Sequence, residues 1–98
     1  MRVRYSRRSL TQLAEILAYI AVDSPRAAAE FASRVETLVS LIGRHPAIGR
    51  PTDVPNVRVF GAKPYPYLVF YRIHGTLGSV TVLRVRHAAR SENWRRGR

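Results

Sequence analysis

The sequence predicts an α+β domain of order β-α-α-β-β-β, in which a helical hairpin packs on one face of a small antiparallel sheet. Three observations predict it. Residues 10–42 carry two apolar stripes at spacings of three and four, interrupted by Asp23-Ser24-Pro25. Residues 65–87 alternate β-branched and aromatic types on either side of a turn held by His74 to Gly78. At 98 residues, with no repeat or linker, the chain has room for one modest core and not for two. Residues 1–98 therefore read as a single domain, of which 88–98 are a basic C-terminal tail.

The first strand comes from Val3 and Tyr5 alternating with Arg2 and Arg4, one face apolar and one charged. Ser6 or Ser9 then caps a helix whose stripe is Leu10, Leu13, Ile16, Leu17 and Ile20. Asp23-Ser24-Pro25 ends that helix and starts the next, with Ser24 as N-cap and Pro25 at the first helical position, where a missing N–H costs nothing. The second helix turns Ala27, Phe31, Val35, Leu38, Val39 and Ile42 inward and ends at Gly43, with Pro46 beyond. Proline and glycine make residues 45–55 a loop. A short strand at 56–60 and a connection through 61–64 lead into the central hairpin, so the last three strands form a meander. The first strand has no tight turn to join it and reaches the sheet beside the final strand.

Within the hairpin, alternation puts Tyr67, Val69, Tyr71 and Ile73 on one face and Leu68, Phe70 and Arg72 on the other. In the second strand Leu83 and Val85 oppose Val82, Arg84 and Arg86. With the all-apolar faces turned to the core, Arg72, Arg84 and Arg86 gather on the side the helices leave bare. Such a cluster is suited to negative charge.

The bulk charge agrees. With 17 basic against 6 acidic residues the net charge is +11, which favours nucleic acid, an anionic membrane or an acidic protein partner. Residues 54–98 hold 9 of the basic residues and one acid, Glu92, so the field belongs mostly to the C-terminal half. The basic residues are arginine except for Lys63, which fits either planar phosphate or carboxylate recognition or a GC-rich coding sequence. There is no cysteine, and His45, His74 and His87 are scattered, so neither a disulfide, a metal site nor a cofactor is expected. No apolar run approaches ~18 residues and the N-terminus lacks an apolar signal segment, so no membrane association is expected and the cytoplasm is the default.

The element order, together with His45-Pro-Ala-Ile-Gly-Arg-Pro51, Val57-Arg58, Tyr67-Leu-Val-Phe-Tyr-Arg72 and Val82-Leu-Arg-Val-Arg-His87 followed by Arg90, resembles the RelE/ParE superfamily of toxins from bacterial type II toxin–antitoxin systems. The resemblance covers nearly the whole chain. The Gly-Arg-Pro loop and the Leu-Arg-Val-Arg-His ending look more like the ParE branch. What the resemblance implies is a growth-inhibiting toxin neutralised by a cognate antitoxin whose C-terminal segment wraps it. ParE-type toxins bind and poison DNA gyrase, whereas RelE-type toxins cut mRNA on the ribosome, and the shared fold does not choose between them.

For a gyrase inhibitor the expected target surface is Arg84, Arg86, His87, Arg90 and Trp94, since arginine and tryptophan are enriched at binding hot spots. An alternative place for Trp94 is packed back over the core. For a ribosome-dependent endoribonuclease, Arg72 and Arg84 would stabilise the phosphorane and His87 would act as acid or base. A second proton-transfer group is hard to find, because the only carboxylate of the C-terminal half is Glu92, beyond the strand, its only lysine is Lys63, in a loop, and Tyr67 and Tyr71 fall on the core face. A third reading, a basic domain that simply binds nucleic acid, lacks a helix-turn-helix or an exposed base-stacking motif. The antitoxin is expected on Leu68, Phe70 and Val82 of the uncovered face, with its carboxylates on Arg72 and Arg84.

Overall fold

In the computed structural model of the chain, residues 1–90 are described. The elements run β1 (Arg2–Tyr5), α1 (Arg7–Asp23), α2 (Pro25–Arg44), β2 (Arg50–Pro51), β3 (Val57–Gly61), β4 (Tyr67–His74) and β5 (Ser79–His87), with short 3-10 turns at Pro46–Ile48 and Ala88–Arg90. The expected order holds, with one two-residue strand, β2, added inside the stretch read as loop. The sheet order is β1-β5-β4-β3-β2, so β1 does lie beside β5.

Three of the four pairings are antiparallel, but β1 runs parallel to β5, which makes the sheet mixed. The reason is the anchor at its end. Ser6 donates its backbone N–H to the Val82 carbonyl at 2.9 Å and its hydroxyl to the Leu83 carbonyl at 2.9 Å. That fixes the junction of β1 and α1 beside the middle of β5, and a second anchor at the other end, the Arg2 N–H on the Gly78 carbonyl at 3.3 Å, makes β1 run with β5.

Ser6, rather than Ser9, is the N-cap: its Oγ accepts from the Ser9 N–H at 3.0 Å. Ser9 is buried instead, donating its hydroxyl back to the Ser6 carbonyl at 2.8 Å. Because Ser6 both caps α1 and ties it to β5, Ser6→Ala is expected to cost about 1–2 kcal/mol. A urea midpoint within error of the parent chain would contradict that double role.

The core is built mainly by α2. Phe31, Val35, Leu38, Val39 and Ile42 pack on Val69 and Tyr71 of β4 and on Val80, Val82 and Val85 of β5. α1 is the outer helix, contributing Leu13, Ile16, Leu17 and Ile20 as half-buried cover. Leu10, expected in that stripe, is 54% exposed, because the fully buried Ser9 takes the inward position of the first turn.

Gly43 does not stop α2, which continues to Arg44. It is buried where β1 crosses the helix, and a Cβ there would sit 3.0 Å from both the Met1 carbonyl and Val3 Cγ2. The glycine serves close approach rather than termination. Asn56, expected to open β3, has φ +64° and belongs to the turn before it.

The departure with the largest consequence is a bulge in β5. Tyr71 pairs with Val82 and Phe70 with Arg84, which leaves Leu83 without a partner across the ladder. The phase of the strand therefore shifts by one, and Val82 joins Val80 and Val85 on the helix side, 1% exposed. Val82 is thus removed from the uncovered face on which alternation placed it. The irregularity is secured from α1, where Gln12 Oε1 accepts the Val85 N–H at 2.8 Å.

Candidate functional site

Register defines the face that the helices leave bare. Residues paired across an antiparallel or parallel ladder share a side, so rows can be followed across the strands. One row is Arg50, Val59, Phe70, Arg84. The next is Gly61, Leu68, Arg86. In the opposite direction along the strands, on the same face, come Val57, Arg72, Thr81, Arg4 and then His74, Ser79, Arg2. Arg72, Arg84 and Arg86 thus share the bare face, as their alternation predicts, and Arg2, Arg4 and Arg50 join them.

The apolar part of this face is narrower than expected. Phe70 is 8% exposed, Val59 3% and Val57 7%, so among the apolar residues paired in register on this face only Leu68 is half-exposed. The face is chiefly cationic. Burial, then the neighbouring Arg8 at the start of α1, then Arg86 push the Arg84 pKa below the ordinary guanidinium value. Like charges crowd here without carboxylates in the first turn of α1 to balance them.

His87 lies elsewhere. It pairs with Tyr67 on the helix side of the sheet, their rings edge-to-face with centroids 5.3 Å apart. It borders a groove of about 740 Å³ between α1 and the end of β5, whose wall includes Gln12, Glu15, Tyr19 and Arg90. Its Nδ1 accepts the Ala89 N–H at 3.1 Å, which in the neutral ring leaves the proton on Nε2. The set Arg72, Arg84 and His87 therefore does not converge: the sheet stands between the two arginines and the histidine. Of the expected target residues, Arg84 is on the bare face, His87 and Arg90 border the groove, and Arg86 is at the rim between them. Trp94 lies outside the described residues.

The Gly-Arg-Pro stretch has a structural role. Tyr71, fully buried, donates its hydroxyl to the Pro46 carbonyl at 2.6 Å and accepts the Gly49 N–H at 2.9 Å. Burial raises the Tyr71 pKa, while the Gly49 N–H and the Arg58 guanidinium act in the opposite direction. Arg58, whose register puts it on the helix side, donates to the Gly49 carbonyl at 2.6 Å and the Ala47 carbonyl at 3.2 Å. Two side chains of the sheet thus hold the loop after α2. Among the described residues there is no group of three histidine, cysteine or acidic side chains able to hold a metal, and no helix is long and apolar enough to cross a membrane.

A family model described as the ParE toxin of the type II toxin–antitoxin system parDE matches residues 3–92. The chain belongs to the ParE toxin family. The Sinorhizobium fredii protein Y4kP, named as a candidate toxin, is 39% identical over 82 residues, covering 84% of this chain and 85% of that one. Among solved structures, the chromosomal ParDE toxin–antitoxin system of P. aeruginosa matches with a TM-score of 0.74 at 22% identity, over 89% of this chain and 95% of that one. The isolated E. coli RelE toxin matches with a TM-score of 0.66 at 15% identity, over 93% and 87%. At these identities the structural matches establish the fold that the ParE and RelE branches share.

The bare-face arginines of β1 and β2 and the groove residues Gln12, Glu15 and Tyr19 escaped sequence reasoning. For Arg2 and Arg4 the signal was present, since a strand beside β5 with Val3 and Tyr5 inward must turn its arginines outward. For the groove there was none, because its shape depends on how far α1 stands from the sheet.

Proposed function

We propose that this ParE-family toxin inhibits DNA gyrase by binding it, without catalysis, and that a cognate antitoxin neutralises it by covering the bare face of the sheet. The observation that carries the non-catalytic part is the separation of His87 from Arg72 and Arg84. Cleavage by a ribose 2′-hydroxyl needs a base, an acid and charge stabilisation around one phosphate. Here the arginines are on one side of the sheet and the imidazole, with Nδ1 engaged, is on the other. Binding asks for no such convergence. The target contact runs along the end of β5 through Arg86, His87 and Arg90, and the antitoxin contact uses Leu68 with Arg72 and Arg84.

The purified chain is added to a gyrase supercoiling reaction and, separately, to translating ribosomes with primer extension on the message. Lost supercoiling or cleaved plasmid with intact message is expected. Cut message with normal supercoiling would replace this reading with the nuclease. His87→Ala separates the two again. A binder should lose less than ~10-fold in potency, whereas loss of a general acid or base costs about 100-fold or more.

A further inference from the structure

The bare face carries more charge than the pairing of two arginines with an antitoxin requires. Arg2 and Arg4 on β1, Arg84 and Arg86 on β5, Arg72 on β4 and Arg50 on β2 occupy it, and among the described residues none of these six makes an ion pair. Arg8 adds its charge beside Arg84.

We propose that this face binds the phosphate backbone of duplex DNA, independently of sequence. The spacing supports it. Arg50 and Arg84 end one row with two strands between them, about 14 Å apart at ~4.8 Å per strand, and Arg4 and Arg72 lie in another with one strand between them, about 10 Å apart. Phosphates bordering a groove of B-form DNA are separated by widths of that order, the grooves being about 6 and about 12 Å wide. Along each strand, Arg2 to Arg4 and Arg84 to Arg86 advance about 7 Å, which matches two base steps when measured as rise along the DNA axis.

The chemistry of the centre of the face favours duplex over single strands. Phe70 and Val59 are buried, so no aromatic ring is presented for an unpaired base to stack on. These buried apolar side chains offer no donor or acceptor to base edges, and the arginines lie around them. An acidic peptide would meet the same arginines, but it needs apolar anchors to bury, and of the apolar residues in register on this face only Leu68 is half-exposed. The consequence is that an antitoxin covering this face also displaces DNA from it. The proposal stands whether or not gyrase is the target.

The test is fluorescence anisotropy with a labelled duplex of about 20 base pairs and the full chain, between about 50 and about 200 mM salt. The parent chain is compared with the triple variant Arg4→Ala, Arg84→Ala, Arg86→Ala and with a helix-side triple of equal charge change, Arg26→Ala, Arg44→Ala, Lys63→Ala. The open-face triple is expected to lose at least ~10-fold in affinity at low salt and to lower the magnitude of the log–log salt slope by about 2 to 3, while the helix-side triple changes the slope by less than about 1. Replacing the same three open-face arginines by lysine should keep most of the slope, which separates lost charge from lost fold. Equal losses in the two alanine triples would overturn the proposal, because the field would then be diffuse. So would absence of duplex binding at low salt, or an Asp/Glu-rich peptide that binds the open face while duplex DNA fails to compete with it.

Discussion

Gly49→Ala is expected to cost about 3 kcal/mol or more, a large share of the roughly 5–15 kcal/mol available to a domain of this size. A Cβ at that position would lie 2.7 Å from the Tyr71 hydroxyl, 2.8 Å from the Val59 carbonyl and 3.0 Å from Tyr71 Cε1. Two of these atoms belong to a fully buried ring and one to the backbone of a central strand, so no flexible chain end can yield. Relief requires moving the loop after α2 away from the sheet, which breaks the Gly49 N–H bond to Tyr71 and the Arg58 bond to the Gly49 carbonyl together. Tyr71→Phe keeps the ring and loses both hydroxyl bonds, at about 1–3 kcal/mol. Because it also removes the closest clash, combining the two changes should cost less than their sum. Urea denaturation followed by circular dichroism measures all three. An unshifted midpoint for Gly49→Ala would show that the loop is not pinned by this contact.

Phe31→Ala is the second large effect, about 3–5 kcal/mol. The ring is fully buried at the centre of the α2 stripe. It meets Tyr65 edge-on with centroids 5.1 Å apart, and Tyr67 at 5.3 Å. Tyr67 in turn carries the His87 ring. Removing Phe31 therefore opens a cavity under the sheet and loosens the support of the groove. Phe31→Leu refills most of that volume and is expected to recover most of the stability without the aromatic contacts. If Phe31→Leu restores the fold but not the proposed gyrase inhibition, the ring stack positions the β5 end. If alanine costs less than about 1 kcal/mol, the core is not centred where its burial puts it.

The legible and illegible parts of the molecule divide on physical grounds. The helix stripes and the hairpin were legible because burial repeats at 3.6 and 2 residues, and Phe31, Val35, Leu38, Val69 and Tyr71 obey those periods. The Ser24-Pro25 boundary was legible because capping is local, and Ser24 Oγ does accept the Ala27 N–H at 3.0 Å. The direction of β1 was not, because it is set by Ser6 reaching a carbonyl 77 residues away. The placement of Val82 failed because strict alternation was carried through a strand that contains an extra residue. A clue was available: the β-branched positions Val80, Val82 and Val85 are spaced two and then three apart. The role of Arg58 was not legible either. In the sequence it stands only as half of the family-like Val57-Arg58 pair with no role attached, and its contacts turn out to be with carbonyls of its own loop.

The bulge at Leu83 has one more implication. In an ordinary strand, deleting a residue turns over every side chain that follows and is among the most damaging changes a sheet can suffer. Here the surplus residue is Leu83 itself, and shortening the chain by that position would restore simple alternation. Val85 would still point inward and Arg84 and Arg86 outward. Length variation at this spot would preserve the surface while releasing the tether to the first helix.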